Sequence, residues 1–186
     1  MIEVMVGALF RCAKIGFRQS AKLANRNGMC HNERKCRRPG DGVEKMQGYN
    51  CIMIYDRSGE KLLFCKRVKD PYKGKYNLVG GKIEPGEDGF AAAYRELEEE
   101  TGITRSKVTL RHMMDFTYYN QDCYVEIYVG RLKEEVQLRE EKNPLLFLKV
   151  SEEDFFSTER FAGEGNIGHM VEQVREYGEG AEEMER

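Results

Sequence analysis

Between residues 81 and 103 the chain reads GKIEPGEDGFAAAYRELEEETGI, and carboxylates crowd the second half of that run. Glu96, Glu99 and Glu100 stand at i, i+3 and i+4, so a helix puts all three on one face. Like charges at that spacing repel by roughly 0.2–0.5 kcal/mol per pair when solvated. A hard divalent cation such as Mg2+ removes the penalty, because clustered carboxylate oxygens are what it prefers. Such an ion polarises phosphoryl oxygens and lowers the pKa of bound water. The plain alternative is a solvated acidic helix face. The trio does not stand alone, however: Gly80-Gly81 precedes it and Pro85-Gly86 makes a turn. Glu87 and Asp88 then open a helix, which Gly102 closes.

The elements that must position these residues are legible around them. Residues 88–101 carry Phe90, Ala93, Tyr94 and Leu97 at i, i+3, i+4 and i+7, an apolar stripe beside the acidic face. One face of the predicted helix packs while its neighbour holds the carboxylates. Upstream, residues 50–55 and 61–67 read as strands around the turn Asp56-Arg57-Ser58-Gly59, and 76–79 as a short strand leading into the glycines. Downstream, 108–119, 123–132 and 145–150 read as strands. Residues 166–177 read as a second helix, with Ile167, Met170, Val171 and Val174 facing inward.

With these residues in view, the run resembles the Nudix hydrolase signature. That pattern is a Gly, five residues, a Glu, seven residues, then Arg-Glu-aliphatic-any-Glu-Glu-any-Gly-aliphatic. Gly81, Glu87, Arg95, Glu96, Leu97, Glu99, Glu100, Gly102 and Ile103 all match, and the resemblance covers about residues 47–178. It implies an α/β fold, a Nudix-type α/β/α sandwich with a mixed central sheet and a loop-helix-loop catalytic motif. It also implies Mg2+, with Mn2+ able to substitute. Glu99 and Glu100 would be the principal ligands, a carbonyl of Gly80 or Gly81 would add an oxygen, and Glu96 would be general base or a further ligand. Arg95 would orient Glu87 or Glu96 by a bidentate pair; its alternative is a surface salt bridge. Many relatives draw another acid from a later loop, where Glu140 and Glu141 are the candidates here.

The signature gives the reaction and not the substrate. The segment Tyr76-Asn77-Leu78-Val79-Gly80-Gly81-Lys82 resembles the aromatic-Asn stretch of the 8-oxo-dGTP diphosphatases in this family, where the Asn bonds a purine. Asn77 can donate and accept at once; a turn-forming Asn is the alternative. Lys66 and Lys82 are candidates for the phosphates, although Lys66 also reads as an edge-strand lysine. Glu164 and Asn166 are candidates for closing over a base, with an N-cap the other reading of Asn166. Phe156, Phe161 and Tyr118 could stack on a base but fit core or rim as well. Among other family branches, the proline common in ADP-ribose pyrophosphatases is replaced by Tyr118 and the chain has no Trp, while Tyr118 and Tyr119 keep a dinucleoside polyphosphate hydrolase open. Expected turnover is a nucleoside triphosphate to monophosphate and pyrophosphate, 8-oxo-dGTP first. Another nucleotide anhydride is the alternative, and so is a non-catalytic nucleotide sensor.

Charge divides the chain. Residues 1–45 carry ten Lys/Arg against four Asp/Glu, and the remainder twenty against twenty-eight. An acidic body argues against direct nucleic-acid binding, and no apolar run approaches the roughly 18–20 residues of a membrane span. Residues 1–45 read as a targeting segment, a basic arm, or a dispensable extension; almost no Ser argues against the first, and the last is preferred. The working domain is then 46–178, followed by an acidic tail, 179–186. Cys30, His31 and Cys36 fit no zinc spacing, and Cys51, Cys65 and Cys123 fall in apolar strands without a disulfide framework. A small-molecule nucleotide as partner, a monomer or homodimer, and a cytoplasmic setting are the expectations.

Overall fold

In a computed structural model, which describes residues 46–178, six strands form one mixed sheet with a helix on each face. The strands are β1 (Gln47–Tyr55), β2 (Lys61–Lys66), β3 (Tyr76–Asn77), β4 (Val108–Tyr118), β5 (Cys123–Leu132) and β6 (Leu145–Lys149). The helices are α1 (Gly89–Thr101) and α2 (Asn166–Tyr177). Sheet order is β3-β2-β1-β5-β4, with β6 added to β2. Only β1 and β5 run parallel; the other pairs are antiparallel.

Side-chain alternation splits the central strands between two cores. On one face Ile52, Ile54, Leu63 and Val108 pack against Ala93, Tyr94 and Leu97 of α1. On the other, Met53, Leu62, Phe64 and Ile127 pack against Ile167, Met170 and Val171 of α2, with Phe155 and Phe161. The expected α/β/α sandwich is what forms. Phe90 and Val174, expected inside, pack only partly buried at the margins.

Asp88 starts α1 as its N-cap, its Oδ1 accepting from the N–H groups of Phe90 and Ala91 at 3.0 and 3.1 Å. Gly102 ends it in the left-handed conformation (φ 74°). Glu87, expected to favour the helix dipole, instead lies one residue before the cap and faces Arg95.

What brings the glycines to the acidic helix is a fork in the sheet. β1 pairs with β2 at Tyr55 and Leu62, then the two diverge. The freed half of β1 takes the segment after β3 instead, through Ile52 N–H to Val79 O and Asn50 N–H to Gly81 O, both 2.9 Å. Gly80 and Gly81 are thereby laid across β1 and under α1. The loop before β6 is tied to the same region, by Arg139 N–H to Thr101 O and by Val68 N–H to Asn143 Oδ1. Among the described residues no helix is long and apolar enough to cross a membrane. The expectations for residues 1–45 and 179–186, with Cys30, His31 and Cys36, lie outside the described residues.

Candidate functional site

Arg95 is the hub of the site, and all five of its N–H donors are used. Nε and Nη2 grip the two oxygens of Glu87 at 2.9 Å each. Nη1 reaches Glu96 at 2.7 Å and Glu99 at 3.2 Å, and Nη2 also donates to the Lys82 carbonyl at 3.0 Å. The expected choice between Glu87 and Glu96 is resolved as both, with Glu99 added.

Glu100 has a different partner. It is half-buried, and its Oε2 accepts the Gly80 N–H at 3.0 Å. Loss of water pushes its carboxyl up to about 7; the Gly80 N–H opposes that, the charges of Glu96 and Glu141 reinforce it, and Lys142 opposes it. Burial likewise raises the carboxyl of Glu96, against the pull of Arg95. Glu99, by contrast, is exposed.

The glycines are required by close approach. Gly80 adopts φ 138°, and a Cβ there would stand 2.4 Å from the carbonyl oxygen of Asn50. A Cβ on Gly81 would come within 2.3 Å of the Glu96 carboxylate. The Gly81 carbonyl is spent on Asn50 N–H, so of the two predicted carbonyl donors Gly80 is the one left over.

In one respect the expected convergence fails. Among the described residues no three His, Cys, Asp or Glu side chains are gathered closely enough to hold a metal. The reason lies in the contacts above: Arg95 draws Glu96 and Glu99 to one side, and Gly80 holds Glu100 on the other. The donor chemistry nonetheless fits a hard cation, since Glu96, Glu99, Glu100, Glu141 and the Gly80 carbonyl offer only oxygens. A cation would also relieve the repulsion recorded at Glu100. Glu141 lies in that field, on the loop whose Lys142 and Asn143 line a cleft with Glu100 and Cys65. Its neighbour Glu140 is occupied, accepting the Leu145 N–H at 2.9 Å.

The substrate candidates are less unified. Asn77 is buried, and its Oδ1 accepts the N–H of Leu78 at 3.0 Å, so the turn-forming reading describes its contact. Lys82 meets the site through its carbonyl. Lys66 lies exposed, with Nζ 5.8 Å from the ring centre of Tyr76. Glu164 is exposed and receives the Tyr72 hydroxyl at 3.5 Å. Asn166 is not an N-cap: Gly165 holds that position without a side-chain bond, and Asn166 is the first helical residue. These last two belong to the α2 side of the sheet, away from the α1 carboxylates. Phe161 is core, 1% exposed, whereas Phe156 is exposed and meets His169 edge-on. Asn50 was not singled out in the sequence; a polar residue heading an otherwise apolar strand was the available signal.

A mixed sheet between two helices, with a glycine turn laid under an acidic helix, is the Nudix architecture. The NUDIX domain model matches residues 45–173, and the chain belongs to the Nudix family. It is 32% identical over 104 residues to an ADP-ribose pyrophosphatase of Bacillus subtilis, covering 55% of this chain and 54% of that protein. It is 30% identical over 100 residues to an RNA pyrophosphohydrolase of Dinoroseobacter shibae, covering 52% and 62%. The chain thus spans between half and two thirds of these two relatives' length. The crystal structure of a C. elegans Ap4A hydrolase superposes with a TM-score of 0.55 at 19% identity, over 71% of this chain and 98% of that one.

Proposed function

We propose that the chain is a Mg2+-dependent hydrolase of nucleotide phosphoanhydrides. The observation that carries this is the half-buried Glu100, fixed by Gly80 N–H in the field of Glu96 and Glu141. Structural ion pairs alone do not call for anions so placed. Glu96, Glu99, Glu100, Glu141 and the Gly80 carbonyl would hold the cation. Held there, such an ion would supply charge neutralisation at phosphoryl oxygens and a lowered pKa for water.

The protein's own groups divide the remaining work. Arg95 sets the orientation of Glu96 and Glu99 while Glu87 anchors the guanidinium to the loop. Glu96, with its carboxyl raised by burial, is suited to accept a proton from attacking water. Gly81 leaves the space in which that carboxylate sits.

For the substrate, the stretch from Tyr76 to Lys82 supports 8-oxo-dGTP, cleaved to monophosphate and pyrophosphate. The bond from Leu78 to Asn77 weighs against a base contact there. A second reading, ADP-ribose, is favoured by the name of the B. subtilis relative. A panel of 8-oxo-dGTP, dGTP, other nucleoside triphosphates, ADP-ribose and diadenosine polyphosphates with Mg2+ tests both. Pyrophosphate release with higher kcat/KM for 8-oxo-dGTP than dGTP supports the first. A preference for ADP-ribose supports the second, and silence with ligand-raised Tm supports a nucleotide sensor instead.

A further inference from the structure

One buried polar side chain beside the glycine turn has no part in the scheme above. Asn50 is 2% exposed, on the face of β1 that otherwise presents Ile52 and Ile54 to α1. Its backbone N–H donates to Gly81 O at 2.9 Å, and its Oδ1 accepts the Gly81 N–H at 3.1 Å. Both polar groups of Gly81 are therefore gripped by one residue. That grip also fixes the amide orientation, because the Gly81 N–H demands an acceptor. The Nδ2 group is consequently committed as a donor, and it is buried with no hydrogen-bond partner. An unpaired buried donor is costly, so its presence calls for an acceptor in the working state.

Two carboxylates stand near Asn50 in the fold, one across the strand pair and one against the glycine it holds. Glu126, the register partner of Asn50 on β5, already receives the Tyr128 hydroxyl at 2.6 Å on Oε2. Glu96 is better suited. Arg95 takes its Oε1, whereas Oε2 lies where a Cβ on Gly81 would meet it, at 2.3 Å, beside the same glycine that Asn50 grips. No hydrogen bond to Glu96 Oε2 occurs among the described contacts.

We propose that Asn50 is a positioning residue for this site: it clamps the Gly80–Gly81 turn, and its Nδ2–H donates to Glu96 Oε2 when the site is loaded. Arg95 and Asn50 would then hold the two oxygens of Glu96 from opposite sides, one charged and one neutral. The clamp fixes the Gly80 carbonyl; the donor fixes the carboxylate proposed to take the proton. This rests on the Nudix reading given above, and the measurements separate the two.

Two variants divide the roles. Asn50→Leu removes clamp and donor, while Asn50→Asp keeps an acceptor for the Gly81 N–H, removes the amide donor and adds a carboxyl group. Mg2+ alone is titrated into each protein by calorimetry, with Tm recorded, and kcat and KM follow on the best nucleotide. For Asn50→Leu we expect Mg2+ affinity and kcat each about tenfold or more lower, as for lost outer support of metal ligands. For Asn50→Asp we expect undiminished Mg2+ affinity but kcat about tenfold lower at similar KM. Lower Tm in Asn50→Leu with wild-type Mg2+ affinity and kcat overturns the clamp and leaves a packing residue. Wild-type kcat in Asn50→Asp overturns the donor, and this variant decides if Asn50→Leu does not fold. Should the wild type be silent on every nucleotide, hydrolysis falls, yet weakened Mg2+ binding by Asn50→Leu still upholds the clamp.

Discussion

Glu100→Gln should stabilise the metal-free protein at alkaline pH. In the folded chain the Glu100 carboxyl is raised from 4.5 to about 7, first by burial. Between those values the folded state binds a proton that the unfolded state has released, so stability falls as pH rises from about 4.5 through about 7. At about 1.4 kcal/mol per tenfold change, the whole difference is on the order of 3 kcal/mol; partial access to water reduces it to about 1–3 kcal/mol. A glutamine keeps the acceptor for Gly80 N–H and never ionises. Urea unfolding in EDTA at pH 4.5 and pH 8.5 reads the effect as the difference in midpoint between variant and wild type. Expected is near equality at pH 4.5 and a gain of about 1–3 kcal/mol for the variant at pH 8.5, with m unchanged. Saturating Mg2+ should then stabilise the wild type by more than the variant. A difference that does not change with pH, or a variant less stable at pH 8.5, refutes the reasoning.

Four further outcomes are expected. Glu99→Gln, at an exposed position, leaves stability within about 0.5 kcal/mol but lowers kcat/KM by roughly a hundredfold or more; wild-type rates would remove Glu99 from the metal site. Arg95→Lys cannot grip Glu87 through two nitrogens and is expected to lower kcat by about tenfold to a hundredfold, read in steady-state kinetics. Asn77→Ala costs about 1 kcal/mol in urea unfolding and affects dGTP and dCTP alike, whereas a KM rise confined to purines would restore the base contact. Deleting residues 1–45 leaves kcat/KM unchanged, and a large loss would show that they belong to the working domain.

Local pattern made most elements readable. The bounds of β5 and α2 agree with the sequence reading, because apolar alternation and a 3.6-residue period are properties of consecutive residues. Partner choice is not local. That β1 leaves β2 after a single pairing and takes up the glycine segment depends on contacts roughly thirty residues apart, which no period encodes. The same holds within the site. Spacing put Glu96, Glu99 and Glu100 on one face, yet the reach of Arg95 and the N–H of Gly80 decide which way each carboxylate turns. Asn77 carried a motif, and its Oδ1 takes its own neighbour's N–H, a contact no motif announces; Asn166 looked like a cap beside a glycine that takes the role. Asn50 had no motif, only a polar side chain heading an apolar strand; its burial and orphan donor come from the fold.

The fully used guanidinium of Arg95 has a consequence for transplanting this site. The acceptors of that guanidinium all lie between Lys82 and Glu99, so its hydrogen bonds are closed within the loop and α1. An engineer could not graft the helix alone, because Glu87 and the Lys82 carbonyl would be left behind and the guanidinium stranded. Loop and helix together still depend on the host: Asn50 grips Gly81, the Gly48 carbonyl takes the Ile83 N–H, and the Arg139 N–H bonds Thr101 O. A recipient scaffold therefore needs a forked sheet, with a central strand exposing half its edge and an amide side chain at that opening.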